Sequence, residues 1–484
     1  MDHEEFRRNG HALIDWLADY QRDIEQLPVT PSVEPGEIRR ALPGTAPEQG
    51  EPFAEIFADF ERRIMPGMAH WGHPGWFAYF PSNGSPPSLL GELLAAGLGA
   101  QCMSWVTSPA ATELEQVMMV WLRELLGLPS EFTGVLQDTA SSATLVACLT
   151  ARDRLGADAA RMTAYCSSEA HSSVAKAVRL AGIPDERLRV LPVDAEFALR
   201  PDALAAALAA DRTAGLVPGF VVATMGTTSS TACDPLRAIG ELAQRAGAWF
   251  HVDAAYGGTA AICPEIRPLL DGVELADSYV TNPHKWLMTH FDCSAYYVRD
   301  VEALQRSFRT SPEYLRTAHD SEVVNYRDWG IPLGRRFRAL KLWFVLRSYG
   351  AEGLRSLLWN HIALAQELAN WVAAEPEWEL LAPAPLGLVC IRHVPTELAA
   401  SETRLAEHNA ALLARINAGG EFFLTHTLLG GRYAIRVSIG QFRTERRHAE
   451  RLWEALKREG EKERRREREK ERRRGVVPRP GRTG

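Results

Sequence analysis

A chain of 484 residues that is 46% hydrophobic and 24% charged can bury a large core, which excludes a disordered or fibrous polymer. No apolar run approaches the ~18 residues needed to cross a bilayer, so no membrane partner is expected. The net charge of −7 divides into +7 over residues 457–484 and −14 over the rest, and an acidic body gives no support to nucleic-acid binding.

Residues 1–85 read as an N-terminal helical segment. "FRRNGHALIDWLADYQRDIEQL" repeats apolar residues at helical spacing. "PGWFAYFP" (74–81) is too aromatic for an idle linker and is expected in the core or against a second subunit. The opening "MDHEEFRRNG" lacks the basic and apolar regions of a secretory signal. Over residues 86–340 strand-like and helix-like stretches alternate: "EFTGVLQDTA" before "SSATLVACLTARDRL", "MTAYCSSEAH" before "SSVAKAVRLAG", "LVPGFVVATMGTTSS" before "DPLRAIGELAQRAG". "AWFHVDAAYGG" and "DSYVTNPHKW" follow. Such alternation predicts an α/β fold with a mostly parallel sheet. Residues 341–456 read as a smaller α+β domain, with strands in "LGLVCIRHV" and "RYAIRVSIG". Residues 457–484 are nearly free of apolar side chains. They are expected to extend the last helix through i,i+4 pairs, fray at "GVVPRPGRTG" and stay in solvent. The seven cysteines are scattered, with no CxxC pair, so neither disulfides nor a metal site is expected and a reducing cytoplasm is the expected setting.

In open α/β sheets, ligands bind at the carboxyl ends of strands, so the polar residues there should converge. Thr139, Ser141 and Ser142 open a helix, either as caps or as a phosphate cradle. His171 precedes the next helix and reads as structural or functional. Thr227 and Thr228 could reach a ligand, while Asp234 before Pro235 reads as an N-cap. Asp253 closes an apolar strand and needs either a salt bridge or a ligand's positive nitrogen. Lys285, in "TNPHKW", is one of only six lysines against 48 arginines. Lysine can lose its proton and attack a carbonyl; arginine does neither. A phosphate cradle, a carboxylate and this lysine together fit one ligand, an aromatic aldehyde with a ring nitrogen and a phosphate: pyridoxal 5′-phosphate (PLP).

The stretches "NPHKW", "HVDAAYGG", "AHSSV", "SPAATELE", "FAYFP" and "PLGRRFRALKLWFVLR" closely resemble the group II PLP-dependent decarboxylases. Within these they resemble the aromatic-L-amino-acid decarboxylases, in order and spacing over residues 1–456. The resemblance implies a PLP-dependent transferase of fold type I: a homodimer whose large, mostly parallel, seven-stranded sheet domain holds the cofactor. It implies Lys285 as the Schiff-base lysine and Asp253 as the partner of the pyridine nitrogen. His171 would stack on the ring, Ala255 would lie against its other face and Thr228 nearby. Ala140, Ser141, Asn282 and His284 would hold the phosphate, and Leu333 and Gly334 would contribute across the dimer. Trp71, Tyr79, Phe80, Pro81 and Ser82 would line the substrate pocket with His171.

"TSPEYLRTAHDSEVVNYRDWG" (310–330) resembles the family's mobile catalytic loop, and Tyr314 its proton donor to the product carbanion. Aldehyde-forming relatives lack that tyrosine or alter the histidine. The expected activity is therefore decarboxylation of an aromatic L-amino acid: tryptophan, tyrosine, phenylalanine or dihydroxyphenylalanine. The alternatives are oxidative aldehyde formation, an acidic substrate, or a catalytically silent scaffold. Gly334 in place of serine resembles indole-accepting plant relatives. Gln101 and Met103 depart from the apolar or aromatic residues usual in the substrate pocket, and Asp138 and His290 depart beside the cofactor.

Overall fold

The computed structural model describes residues 1–309 and 322–475, with side chains to residue 469. Seven strands form the large sheet: β1 (Thr133–Gln137), β2 (Met162–Ser167), β3 (Leu188–Leu191), β4 (Val217–Thr224), β5 (Trp249–Asp253), β6 (Ser278–Thr281) and β7 (Ser294–Val298). Their order is β1-β7-β6-β5-β4-β2-β3, parallel except where β7 runs against β1 and β6. The strands are apolar on both faces because helices cover both faces. One face packs Val221, Phe250, Tyr279 and Tyr297. The other packs Val222, Trp249, Val280 and Tyr296 under Ala143, Val146 and Ala147 of the helix Ala140–Arg154.

The helix Arg338–Ala374 leads out of this unit and breaks at Gly350, whose φ of 63° and ψ of 172° end one helical segment and start the next. Beyond it, β8 (Trp378–Leu380), β9 (Leu388–His393), β10 (Thr425–Leu429) and β11 (Arg432–Ser438) form an antiparallel sheet in the order β10-β11-β9-β8. Its core takes Leu412 from the helix Glu402–Ala418, Trp453 from the last helix, and Phe77 from the N-terminal segment.

The first helix, His3–Asp23, starts with a capping box in which Asp2 and Glu5 bond each other's backbone N–H. It is amphipathic, yet none of its residues is buried in the single chain. The last helix, Arg446–Gly475, runs through the stretch expected to lie free in solvent, and its first part is docked instead. Glu463 is buried against Arg415, Arg464 reaches Glu377 (2.8 Å) and Glu397 (2.9 Å), and Arg468 reaches Glu397 (2.6 Å). The mixed charges face complementary charges of the small domain, and composition alone does not reveal that match. The stretch 476–484, where fraying was expected, lies outside the described residues, as does most of 310–330. Among the described residues no helix is long and apolar enough to cross a membrane, no group of three or more His, Cys, Asp or Glu could hold a metal ion, and all seven cysteines are unpaired.

Under the last helix, His393 Nδ1 and His408 Nε2 lie 2.9 Å apart, both rings buried. Burial pushes each pKa from 6.5 down to about 4. Between those values the unfolded chain binds protons that the folded chain refuses. The stabilising effect of the neutral pair is thus complete above ~6.5 and is lost as pH falls towards ~4. The urea midpoint should fall over this window, and fall less steeply in His408→Leu; a wild-type midpoint that stays flat there would contradict the pairing.

Candidate active site

The parallel strands end together. Thr224 on β4 faces Asp253 on β5, which faces Val280 on β6, so the residues that follow each strand share one edge. A cavity of about 220 Å³ opens there. It is lined by Thr139, Ala140, Ser141, His171, Thr228, Asp253, Ala255, Asn282, His284, Lys285 and Phe80, all expected from the sequence, and by Ser173, Thr224, Gly226, Tyr256 and Phe291.

Lys285 sits in the short helix Pro283–Trp286. Burial pushes its ammonium pKa below the usual lysine value, and the Asp253 carboxylate works against that shift. A depressed pKa leaves more free amine, the form that attacks a carbonyl. Its Nζ lies 5.4 Å from the centre of the Phe80 ring, which stacks on Tyr256 at 3.7 Å; Tyr256 in turn stacks on Trp286. The Lys285 backbone is held by Asn83. That buried amide donates to Lys285 O (2.9 Å) and Gly440 O (2.5 Å) and accepts from Phe442 N (2.8 Å).

Asp253 is buried and accepts from Ala255 N (3.1 Å). His171 Nδ1 accepts from Ser173 N (3.2 Å) and lies 2.8 Å from Ser173 Oγ. Burial lowers the His171 pKa, so the ring is neutral with its proton on Nε2. On the opposite side, Thr139 caps the helix Ala140–Arg154 by accepting from Ser142 N, which confirms the cap reading of this hydroxyl. The N–H groups of the first turn and the helix dipole favour an anion there. His284 Nδ1 accepts from Cys293 N (2.9 Å), and burial pushes its pKa down to about 3. Its neutral ring therefore has Nε2–H free to donate.

Trp71, Tyr79, Pro81 and Ser82, expected around the substrate, do not line this cavity. Tyr79, at a φ of 55°, is half exposed and stacks on Trp71 at 5.7 Å. Pro81 packs against Gly440 of the small domain instead. Gln101, Met103, Leu333 and Gly334 also stand apart but close to one another. Gln101 Oε1 accepts from Arg335 N (2.7 Å), Cys102 N donates to Arg335 O (3.0 Å), and Arg327 N donates to Met103 O (2.8 Å). Tyr314 lies outside the described residues.

Asp234 is not the N-cap of the helix Leu236–Ala246. Its buried carboxylate accepts from Leu199 N and Thr224 N, both at 2.7 Å, and burial raises its pKa to about 7. It staples the end of β4 from below. Phe291 and Ser173 carried no signal of their own in the sequence. Asn83 and Arg436, a cation 5.4 Å from the centre of the Phe80 ring, went unseen because their hydrogen-bond partners are far away in the chain.

The model of the pyridoxal-dependent decarboxylase conserved domain matches residues 35–394. The chain belongs to that family. It is 45% identical to the phenylacetaldehyde synthase of Arabidopsis thaliana, over 95% of this chain and 96% of that one. It is 43% identical to tyrosine decarboxylase 2 of Narcissus pseudonarcissus, over 94% of each. The solved structure of Oryza sativa TDC with PLP and tryptamine superposes with a TM-score of 0.93 at 38% identity, covering 96% of this chain and 99% of that chain. The fold is thus that of the PLP-dependent transferases of fold type I, and the enzyme is a PLP-dependent carboxy-lyase.

The residues present in this decarboxylase fit the cofactor. Two buried polar atoms on the cavity wall, Asn282 Oδ1 and Thr224 Oγ1, have no partner within the described residues. Such orphans are costly unless a ligand pairs them. Lys285 would attach the aldehyde, Asp253 would pair the ring nitrogen, and Ala140, Ser141, Asn282 and His284 would hold the phosphate. Lys285→Ala should keep cofactor but lose the attachment fixed by borohydride, with turnover down by about three orders of magnitude; a variant with normal turnover would remove Lys285 from the chemistry.

Proposed function

We propose that this decarboxylase converts an aromatic L-amino acid into the arylalkylamine and CO2. The observation that carries this reading is the cavity wall: Phe80 stacked on Tyr256, beside the amine of Lys285. Among the described lining residues Lys285 is the one lysine, and there is no arginine. Arg436 nearby spends three of its five donors on Thr228 O, Ser229 O and Thr425 Oγ1. Among the described lining residues no guanidinium stands ready to clamp an acidic side chain, which argues against glutamate-like substrates.

Bound PLP supplies an electron sink for the pair released when the Cα–carboxylate bond breaks. The protein's own groups do the rest. Asp253 would pair with the ring nitrogen and favour its protonated form. His171 and Ala255 both line the cavity, where the flat ring of His171 would cover one face of the cofactor and the small side chain of Ala255 would leave room on the other. Phe80 and Tyr256 exclude water. The Tyr314 hydroxyl delivers a proton to Cα. Tyr314 and His171 together support amine rather than aldehyde as product, although the similarity to a phenylacetaldehyde synthase keeps oxidation as the second reading. Gly334 supports an indole substrate, in line with the tryptamine bound to the Oryza protein.

The working unit is proposed to be a homodimer. The helix Pro86–Leu98 leaves Leu90, Leu93, Leu94 and Leu98 about half exposed or more, and no residue of the amphipathic first helix is fully buried in a single chain. A second copy of this chain would cover both. Gln101, Met103, Leu333 and Gly334 would then serve the partner's cavity. The seven unpaired thiols support a cytoplasmic setting.

Purified, PLP-loaded enzyme given an equimolar mixture of aromatic and acidic L-amino acids in air should yield aromatic amines without aldehydes, read by mass spectrometry. Aldehydes would move it to the oxidative reading, and consumption of the acidic substrates alone would sink the aromatic one. Tyr314→Phe should divert the product to aldehyde, ammonia and peroxide; if amine alone still forms, Tyr314 is not the proton donor.

A further inference from the structure

His251 lies two residues before Asp253 on β5 and is fully buried. Both of its nitrogens are engaged. Nδ1 is 2.9 Å from Ser278 Oγ, and Nε2 is 3.4 Å from Thr144 Oγ1. The neighbouring donors fix the direction of each bond. Trp249 Nε1–H donates to Ser278 Oγ (2.8 Å), and the Thr144 hydroxyl donates to Ala140 O (2.8 Å). The single hydrogen of Thr144 is thereby used, so its oxygen accepts from His251 Nε2–H. Nδ1 is left to accept from the Ser278 hydroxyl. Burial pushes the His251 pKa down to about 4, which keeps the ring in this neutral, one-proton form. The result is a directed relay from Trp249 through Ser278, His251 and Thr144 to the carbonyl of Ala140.

The relay begins on the strands that carry Asp253 and ends on the first residue of the helix whose N–H groups face the cavity. Those two places would grip opposite ends of one rigid ligand, the ring nitrogen and the phosphate. The chemistry proposed above makes no use of His251.

We propose that His251 is a positioning residue that sets the spacing between Asp253 and the start of the helix Ala140–Arg154, so that both ends of PLP are held at once. This rests on reading the cavity as the PLP site. A ligand anchored at both ends feels that spacing; one anchored at a single end does not.

The test uses full-length protein freed of cofactor, titrated with PLP and with pyridoxal, which lacks the phosphate. His251→Phe and Thr144→Val each remove the link to Ala140. Each should weaken PLP binding about tenfold, the equivalent of one buried hydrogen bond, and the double variant should lose little more. Pyridoxal affinity should change less than about twofold, and the visible circular-dichroism band of bound PLP should change in amplitude. If His251→Phe fails to fold, Thr144→Val carries the same test. Unchanged PLP affinity and dichroism, or equal losses for PLP and pyridoxal, would overturn the positioning role. A wild-type protein that binds no PLP would instead overturn the reading of the cavity.

Discussion

An amine and a carboxylate, Lys285 and Asp253, face one small cavity, and taking either from water is unfavourable without a partner. The remainder of the fold is arranged around that constraint. The parallel strands bring the two groups to one edge from positions 32 residues apart in the chain. The helix start at Ala140 adds a third electrostatic feature, favourable to negative charge, on the far side. A ligand that is positive at one end, negative at the other and carbonyl-bearing between satisfies all three. PLP is such a molecule, so cofactor binding relieves strain that the protein alone would have to carry.

The groups around this centre are kept neutral by burial. His284 and His251 lie on elements that pass through the core, and their low pKa values leave each ring with one donor and one acceptor. A neutral imidazole can orient its neighbours without adding a positive charge that would compete with the ring nitrogen for Asp253. Burial acts on Asp234 too, raising its pKa to about 7 while the backbone N–H groups of Leu199 and Thr224 donate to it.

Much of this was legible in the sequence because it is local. Apolar runs followed by small polar residues marked β1, β2, β4, β5 and β6, and the scarcity of lysine singled out Lys285. The family resemblance added residues, such as His284 and Ala255, whose types alone say little. The strands β3, β7, β8 and β10 were not foreseen; β3, β8 and β10 are only partly buried, so no continuous apolar run marks them. Asn83 and Arg436 escaped because their meaning lies in contacts to residues hundreds of positions away. The docking of residues 457–469 escaped because composition reports how much charge a segment carries and says nothing of what it faces.

Phe80 and Asn83 belong to the N-terminal segment, Tyr256 and Lys285 to the large domain, Arg436 and Gly440 to the small one. All six meet within one layer of side chains. A chain whose large sheet alone had folded would already hold Lys285 and Asp253 on their strand ends. It would still lack the ring over the amine and the amide that fixes the lysine's backbone. A finished cavity therefore requires three distant stretches of the chain to have met.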